Sequence, residues 1–291
     1  MNFTTSVFTM HQRHVNAVQR TAEEIRNHYL AEKDLASRLK SSKPEERGAL
    51  YLSVYEELFR RVPNHPILFR TVKPEQQQRA IRWQMQFLRR FLKPTHSFLE
   101  IGAGDCALAL TVAKIVAKVY AVDVSAKLTE SLVRPDNFEL RISDGSSVDV
   151  PDSSVDVAYS NQLMEHLHPD DAMQQVREVY RALKPGGVYV CATPNRLGGP
   201  YDISRNFDKV ASGLHLKEYT VTDASDLFRS VGFARVRSYV GARGVYVGPP
   251  LGAMRGFEVL LEKLPHGFRQ KFCDTMPMRP IMMIRLVGTK L

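Results

Sequence analysis

From residue 97 onward, short apolar runs alternate with stretches of helical length: SFLEI, CALALTVAKI, KVYAVDV, AKLTESLV, NFELRIS, SVDVAYS, DAMQQVREVYRAL and GVYVCAT. Strands alternating with helices at this pitch join through right-handed crossovers and build a parallel sheet. Lys184-Pro185-Gly186-Gly187 reads as a sharp turn between a helix and its strand. DASDLFRSVGF then predicts a helix, and ARVRSYVG and PIMMIRLVGTKL two more strands. MRGFEVLLEKL falls between those strands as a helix within an insertion at about 248–278.

The first 94 residues have a different pattern. Val15, Val18, Ala22, Ile25 and Tyr29 recur at helical spacing, and YLSVYEELFRRV carries Leu52, Tyr55, Leu58 and Phe59 on one side. Pro63, Pro66 and Pro74 restrict the backbone before them, which predicts a bend over the following domain rather than one continuous helix. AIRWQMQFLRRFL makes a last amphipathic helix, ended by Lys93-Pro94-Thr95. The division is therefore a helical extension over 1–94 and a sheet domain over 95–291.

With 291 residues and 44% hydrophobic side chains, the chain can bury one substantial core. The opening MNFTTSVFTMHQRH has no apolar signal region, and no run approaches the roughly 18 apolar residues of a membrane span, so the expected compartment is the cytoplasm. Cys106, Cys191 and Cys273 lie far apart among apolar or small residues, as reduced buried thiols do. The net charge of +9 admits nucleic acid or a phosphorylated substrate as partner. Against this, the basic residues are scattered, and Arg60-Arg61 and Arg89-Arg90 fall in helical patterns, as on a solvated face.

Gly102-x-Gly104, between a strand and a helix, lets backbone amides approach a ligand at the helix start. Asp123 closes the second strand about twenty residues later, where its carboxylate can accept both hydroxyls of a ribose. That pair suits NAD and S-adenosylmethionine equally. Glu100 separates them. Beside a pyrophosphate its charge is repelled in a partly desolvated cleft, whereas beside S-adenosylmethionine it faces a cationic amino-acid moiety. As an alternative, Glu100 caps the helix that follows.

LEIGAGDCA, YAVDVS, SDG, VDVAYSNQLMEHL and RALKPGGVYVCATPN, in this order and spacing, resemble the class I S-adenosylmethionine-dependent methyltransferases over residues 97 to about 240. The resemblance implies a Rossmann-like α/β fold with a seven-stranded sheet, its last strand antiparallel, behind an N-terminal helical extension that covers the acceptor site. It implies that Gly102 and Gly104 back the methionine part of the cofactor and that Asp123 holds the ribose. Val124 would pack on the adenine, Asp144 would accept its amino group, and Gly145 and Ser146 would offer backbone contacts. Asn161 would lie near the sulfonium. Cys106 stands where many relatives have a third glycine.

Methyl transfer is an in-line displacement that gains mainly from alignment, and a general base is needed only for a poorly acidic hydroxyl. His166 and His215 are the candidate bases. Two subgroups, the polyprenyl catechol and small-RNA O-methyltransferases, use Glu-x-x-Glu-His with magnesium. Here the set is Gln162, Glu165 and His166, followed by His215, and the neutral amide removes a charge a hard cation wants, so metal is the minor reading. Residues 194–208 form a long polar loop, read as a lid, a substrate wall or a solvated insertion. The leading expectation is methyl transfer to a small or medium-sized acceptor, at oxygen. RNA methylation, NAD(P)-dependent oxidoreduction and a non-catalytic binding module are the alternatives.

Overall fold

The computed structural model describes residues 20–69, 73–126, 129, 132–242 and 244–291. Val15, Val18 and much of the helix expected over 126–133 lie outside them. Three helices come first: α1 (Ala22–Ser41), α2 (Pro44–Arg61) and α3 (Pro74–Leu88). Each start is chemically marked. Thr21 and Glu24 form a reciprocal capping box on α1, and proline occupies the first turn of α2 and α3, where its missing N–H costs nothing. The helix expected to run to Lys93-Pro94-Thr95 ends sooner, at Leu88.

The sheet follows with β1 (Ser97–Ile101), α4 (Ala107–Ala113), β2 (Lys118–Asp123), β3 (Phe138–Ile142), β4 (Val155–Asn161), α5 (Pro169–Ala182) and β5 (Leu183–Pro194). After it come α6 (Val221–Val231), β6 (Arg235–Ser238), β7 (Val240–Ala242), β8 (Val245–Val247), α7 (Leu251–Glu262), α8 (His266–Cys273) and β9 (Met283–Thr289). The seven-stranded sheet has the order β3-β2-β1-β4-β5-β9-β6, with β9 antiparallel to both neighbours. This is the Rossmann-like arrangement expected, reversed strand included.

Lys184-Pro185-Gly186-Gly187 is absorbed into β5 rather than preceding it. Val155 pairs with Leu183 but Val157 with Val188, so the extra residues bulge out, with Gly186 at φ 82°. The expected strand ARVRSYVG splits into β6 and β7, and β7 turns back on β8 as a hairpin.

The two-residue strand period sorts side chains to opposite faces. Phe98, Val157, Tyr159 and Val190 meet α3 and α4 on one face. Leu99, Ile101, Ala158 and Cys191 join a second core with α5, α6, Leu35 and Leu39 of α1, and Val54 and Leu58 of α2. The N-terminal helices thus share a core with the sheet. Because β1, β2, β4 and β5 run parallel, their carboxyl ends, and the loops that follow, gather at one edge.

Candidate active site

At that edge Gly102 (φ 71°) and Gly104 (φ 54°) turn the chain out of β1 through left-handed backbone. A Cβ on Gly102 would also press on Leu163, at 3.1 Å. Gly102 and Ala103 both donate their amides to the Val122 carbonyl, at 2.8 and 3.1 Å, which pins the loop to β2. Gly104 N donates to Oδ2 of Asp123 (2.8 Å) and Ser125 N to Oδ1 (3.1 Å), so the carboxylate is oriented by backbone while each oxygen keeps capacity for another donor. Burial raises the Asp123 pKa, and these amides oppose the rise.

Glu100 is buried, and its Oε2 has no hydrogen-bond partner. Burial, then the neighbouring Asp105 and Asp123, push its pKa well above the usual carboxylate range. Asp105 accepts from Ala107 N (3.1 Å) and from Gln77 Nε2 of α3 (2.5 Å). Cys106 holds the left-handed conformation (φ 58°) that the absent glycine would adopt without strain. Its thiol is buried, and burial pushes its pKa up to about 12, as in an inert thiol rather than a nucleophile.

A mainly apolar crevice opens beside this loop. Of the residues singled out in the sequence, Gly102, Asp123, Val124 and Gly145 line it, and so do Gln162 and His166. Glu100, Gly104, Asp144, Ser146 and Asn161 do not. Asp144 instead closes its own turn: Oδ1 accepts from Ser146 N (2.9 Å) and Ser147 N (2.8 Å). Burial raises its pKa, but these donors outweigh it and hold the carboxyl below its usual range.

The opposite wall consists of Tyr51, Val54 and Tyr55 of α2, residues the sequence reading treated only as part of an amphipathic helix. Tyr51 lies so close to Gly145 (φ 95°) that a Cβ there would come within 2.7 Å of the ring. The buried Arg47–Asp171 ion pair holds α2 in place, and Tyr51 Oη donates to Asp171 Oδ2 at 2.7 Å and accepts from His168 N at 2.8 Å. Gln175 Nε2 of α5 reaches the Gly145 carbonyl at 2.8 Å.

The candidate bases come together, with ring centroids 4.8 Å apart in an edge-to-face contact. His166 Nδ1 lies 3.0 Å from the Leu214 carbonyl, which can only accept, so the proton is on Nδ1 and Nε2 is the basic nitrogen. Burial, then the cationic His215, depress the His166 pKa to about 3. His215 Nδ1 faces Glu218 Oε1 at 2.7 Å. Burial alone would depress His215, but the hydrogen bond and charge of Glu218 outweigh it and carry the pKa up to about 9. Glu218 was not singled out in the sequence; the spacing His215-x-x-Glu218 was its available signal.

Glu165 is buried and accepts from Thr193 Oγ1 at 2.9 Å, and burial carries its pKa up to about 7. Glu165, His166 and His215 do cluster as a metal site would require. The donor chemistry is poor for magnesium: Glu165 is the one carboxylate of the set, Gln162 is a neutral amide, and the His215 imidazolium already supplies positive charge.

A second buried group joins α1 to this region. Glu32 Oε1 accepts from His28 Nε2 (2.7 Å), and Glu32 Oε2 from Leu214 N (3.2 Å). His65 adjoins them, but Ile67 N donates to its Nδ1 (3.2 Å), which leaves the proton on Nε2, the atom facing Glu32, and removes it as a ligand. The segment 194–208, read as a polar loop, is largely buried, Asn195, Leu197, Gly198, Asp202 and Ser204 among its buried residues. Among the hydrogen bonds that fasten it are Tyr201 N to Glu218 Oε1 (2.7 Å), Gly213 N to Asp202 Oδ2 (2.9 Å) and Asn195 Nδ2 to Glu258 Oε1 (2.9 Å).

Residues 99–191 match the family described as "Methyltransferase domain". A protein of Mycolicibacterium smegmatis named "probable S-adenosylmethionine-dependent methyltransferase" is 31% identical over 136 residues, 46% of this chain and 51% of the relative. One of the same description from Mycobacterium tuberculosis is 29% identical over 157 residues, 54% of each. The chain thus spans about half the length of these curated relatives. Among solved structures, a chain of the complex between the Haloferax volcanii Trm112 methyltransferase activator and a methyltransferase superposes with a TM-score of 0.53 at 16% identity. It covers 74% of this chain and 91% of its own length, which establishes likeness of fold.

Proposed function

We propose that this chain, a member of the class I S-adenosylmethionine-dependent methyltransferases, transfers a methyl group in the cytoplasm to an oxygen of a small or medium-sized acceptor. The observation that carries the reading is the crevice at the carboxyl edge, lined by Gly102, Asp123 and Gly145 and closed by Tyr51 and Tyr55. Asp123, oriented by two amides, holds the ribose. Val124 packs on the adenine, the turn of Asp144, Gly145 and Ser146 borders it, and Gly102 and Gly104 back the methionine part. The unpartnered Oε2 of Glu100 suits an ammonium group, reached directly or through water. Asn161 ends β4 beside them, towards the sulfonium. When bound, S-adenosylmethionine supplies an electrophilic methyl on a positively charged sulfur.

His166 is the candidate this geometry favours, since it lines the crevice and stays neutral at pH 7; with its pKa pushed to about 3 it acts through Nε2 as a hydrogen-bond acceptor, and the hydroxyl proton passes to solvent as the C–O bond forms and the C–S bond breaks. It accepts the hydrogen bond of the acceptor hydroxyl and orients it for in-line attack. His215 carries a proton at pH 7 and, held by Glu218, acts as a positioning residue behind it. No step is routed through a metal. Residues 1–94 cover the acceptor site and residues 95–291 bind the cofactor, although both share one core.

The test is transfer of radiolabelled methyl from the cofactor into fractionated cell extract, with and without ribonuclease and EDTA. Label in a ribonuclease-resistant small-molecule fraction is expected, with activity surviving EDTA. Label lost to ribonuclease would replace the acceptor with RNA. With an acceptor in hand, His166→Ala is expected to lower kcat by about a hundredfold with KM little changed.

A further inference from the structure

We infer that the outer face of α7 and α8 docks the protein on an anionic lipid surface. These helices are anchored from within: Leu261 and Cys273 are buried with Leu197, Met278 and Met282 in a small core of their own. A surface helix ordinarily turns polar residues outward. Here Leu260 is 63% exposed, Phe268 60% and Met276 69%, with Val259 and Phe272 also exposed. Phe268 and Phe272, one helical turn apart, stack with parallel rings 6.5 Å between centroids.

The charges on the segment decide what covers this face. Its acids are all engaged: Glu258 accepts from Val221 N and Thr222 N, Glu262 pairs with Arg196, and Asp274 pairs with Arg205. Lys263, Arg269, Lys271 and Arg279 form no ion pair among the described residues. Exposed Leu, Phe and Met beside uncompensated Lys and Arg match the charge and polarity of an anionic membrane interface, where apolar tips enter and basic heads meet the headgroups. A second copy would bring like charges together.

The placement serves catalysis at a surface. Met283, the first residue of β9, pairs with Pro194, the last of β5, so the segment enters the sheet at the same edge as the crevice. Gln270 Nε2 donates to the Gly199 carbonyl at 3.0 Å, which ties α8 to the loop held by Glu218.

The test is co-sedimentation of the full chain with phosphatidylcholine vesicles and with vesicles containing phosphatidylglycerol. Pelleting with the anionic vesicles only, weakened by salt, is expected. The double variants Phe268→Ser/Phe272→Ser and Lys263→Glu/Lys271→Glu are each expected to weaken it about tenfold or more. Circular dichroism and binding of S-adenosylhomocysteine report on folding, and these exposed positions should leave both unchanged. Equal binding to neutral vesicles, variants that pellet like the parent, or self-association through this face without vesicle binding would overturn the inference.

Discussion

Three buried side chains, Glu100, His215 and Glu165, carry distinct electrostatic consequences. Glu100 is driven towards its neutral form by burial and by Asp105 and Asp123, yet the proposed ligand favours its charged form. Binding of S-adenosylhomocysteine, which keeps the ammonium, should therefore tighten as pH rises and should release a proton. Calorimetry in buffers of different ionisation enthalpy measures that release, and Glu100→Gln should abolish it. His215 acts on stability. Its folded pKa of about 9 exceeds the ordinary value near 6.5, so its contribution is complete below about 6.5 and lost as pH rises through 9. Glu165, raised to about 7, adds loss in the same direction at lower pH, from its ordinary value near 4.5 upward. His166, Glu218 and Asp202 are the other groups facing His215. Thermal melts should fall from pH 6.5 to 9, and His215→Gln should flatten that decline.

At the scale of elements, α2 matters most, because it forms a wall of the crevice and is fixed to α5 by one buried ion pair. Asp171→Ala leaves the Arg47 guanidinium without its close partner and Tyr51 Oη without its acceptor. A loss of about 3 kcal/mol is expected in urea unfolding, together with weaker binding of S-adenosylhomocysteine. Asp171→Asn, which keeps an acceptor for Tyr51, should lose less. The sequence showed α2 as an amphipathic helix but not its role, since Tyr51 and Tyr55 fit a core-facing stripe equally well. The loops after β1 and β2 were legible because Gly102, Gly104 and Asp123 meet backbone demands that few other residues satisfy. The β7–β8 hairpin was not, since its three-residue strands are too short to show a period. The shortness of α8 hid it in the same way. Glu218 is a different case: its role depends on a buried loop, and burial of a polar segment such as 194–208 leaves no mark on composition.

Across the whole molecule, the fold gathers three things at one edge of the sheet: the glycine loop, the histidine cluster and the entry of the α7–α8 segment. No described helix is long and apolar enough to cross a membrane. That α1 and α2 share a core with the sheet implies cooperative unfolding: urea transitions followed by far-ultraviolet signal and by the near-ultraviolet signal of the buried tyrosines Tyr51, Tyr189 and Tyr219 should coincide. Titration calorimetry distinguishes S-adenosylmethionine from NAD as the cofactor of this crevice. S-adenosylhomocysteine should bind the parent chain and NADH should not, and Asp123→Ala should abolish the binding, since the ribose loses its acceptor. NADH binding without S-adenosylhomocysteine binding, or unchanged affinity in Asp123→Ala, would rule out this placement of the cofactor.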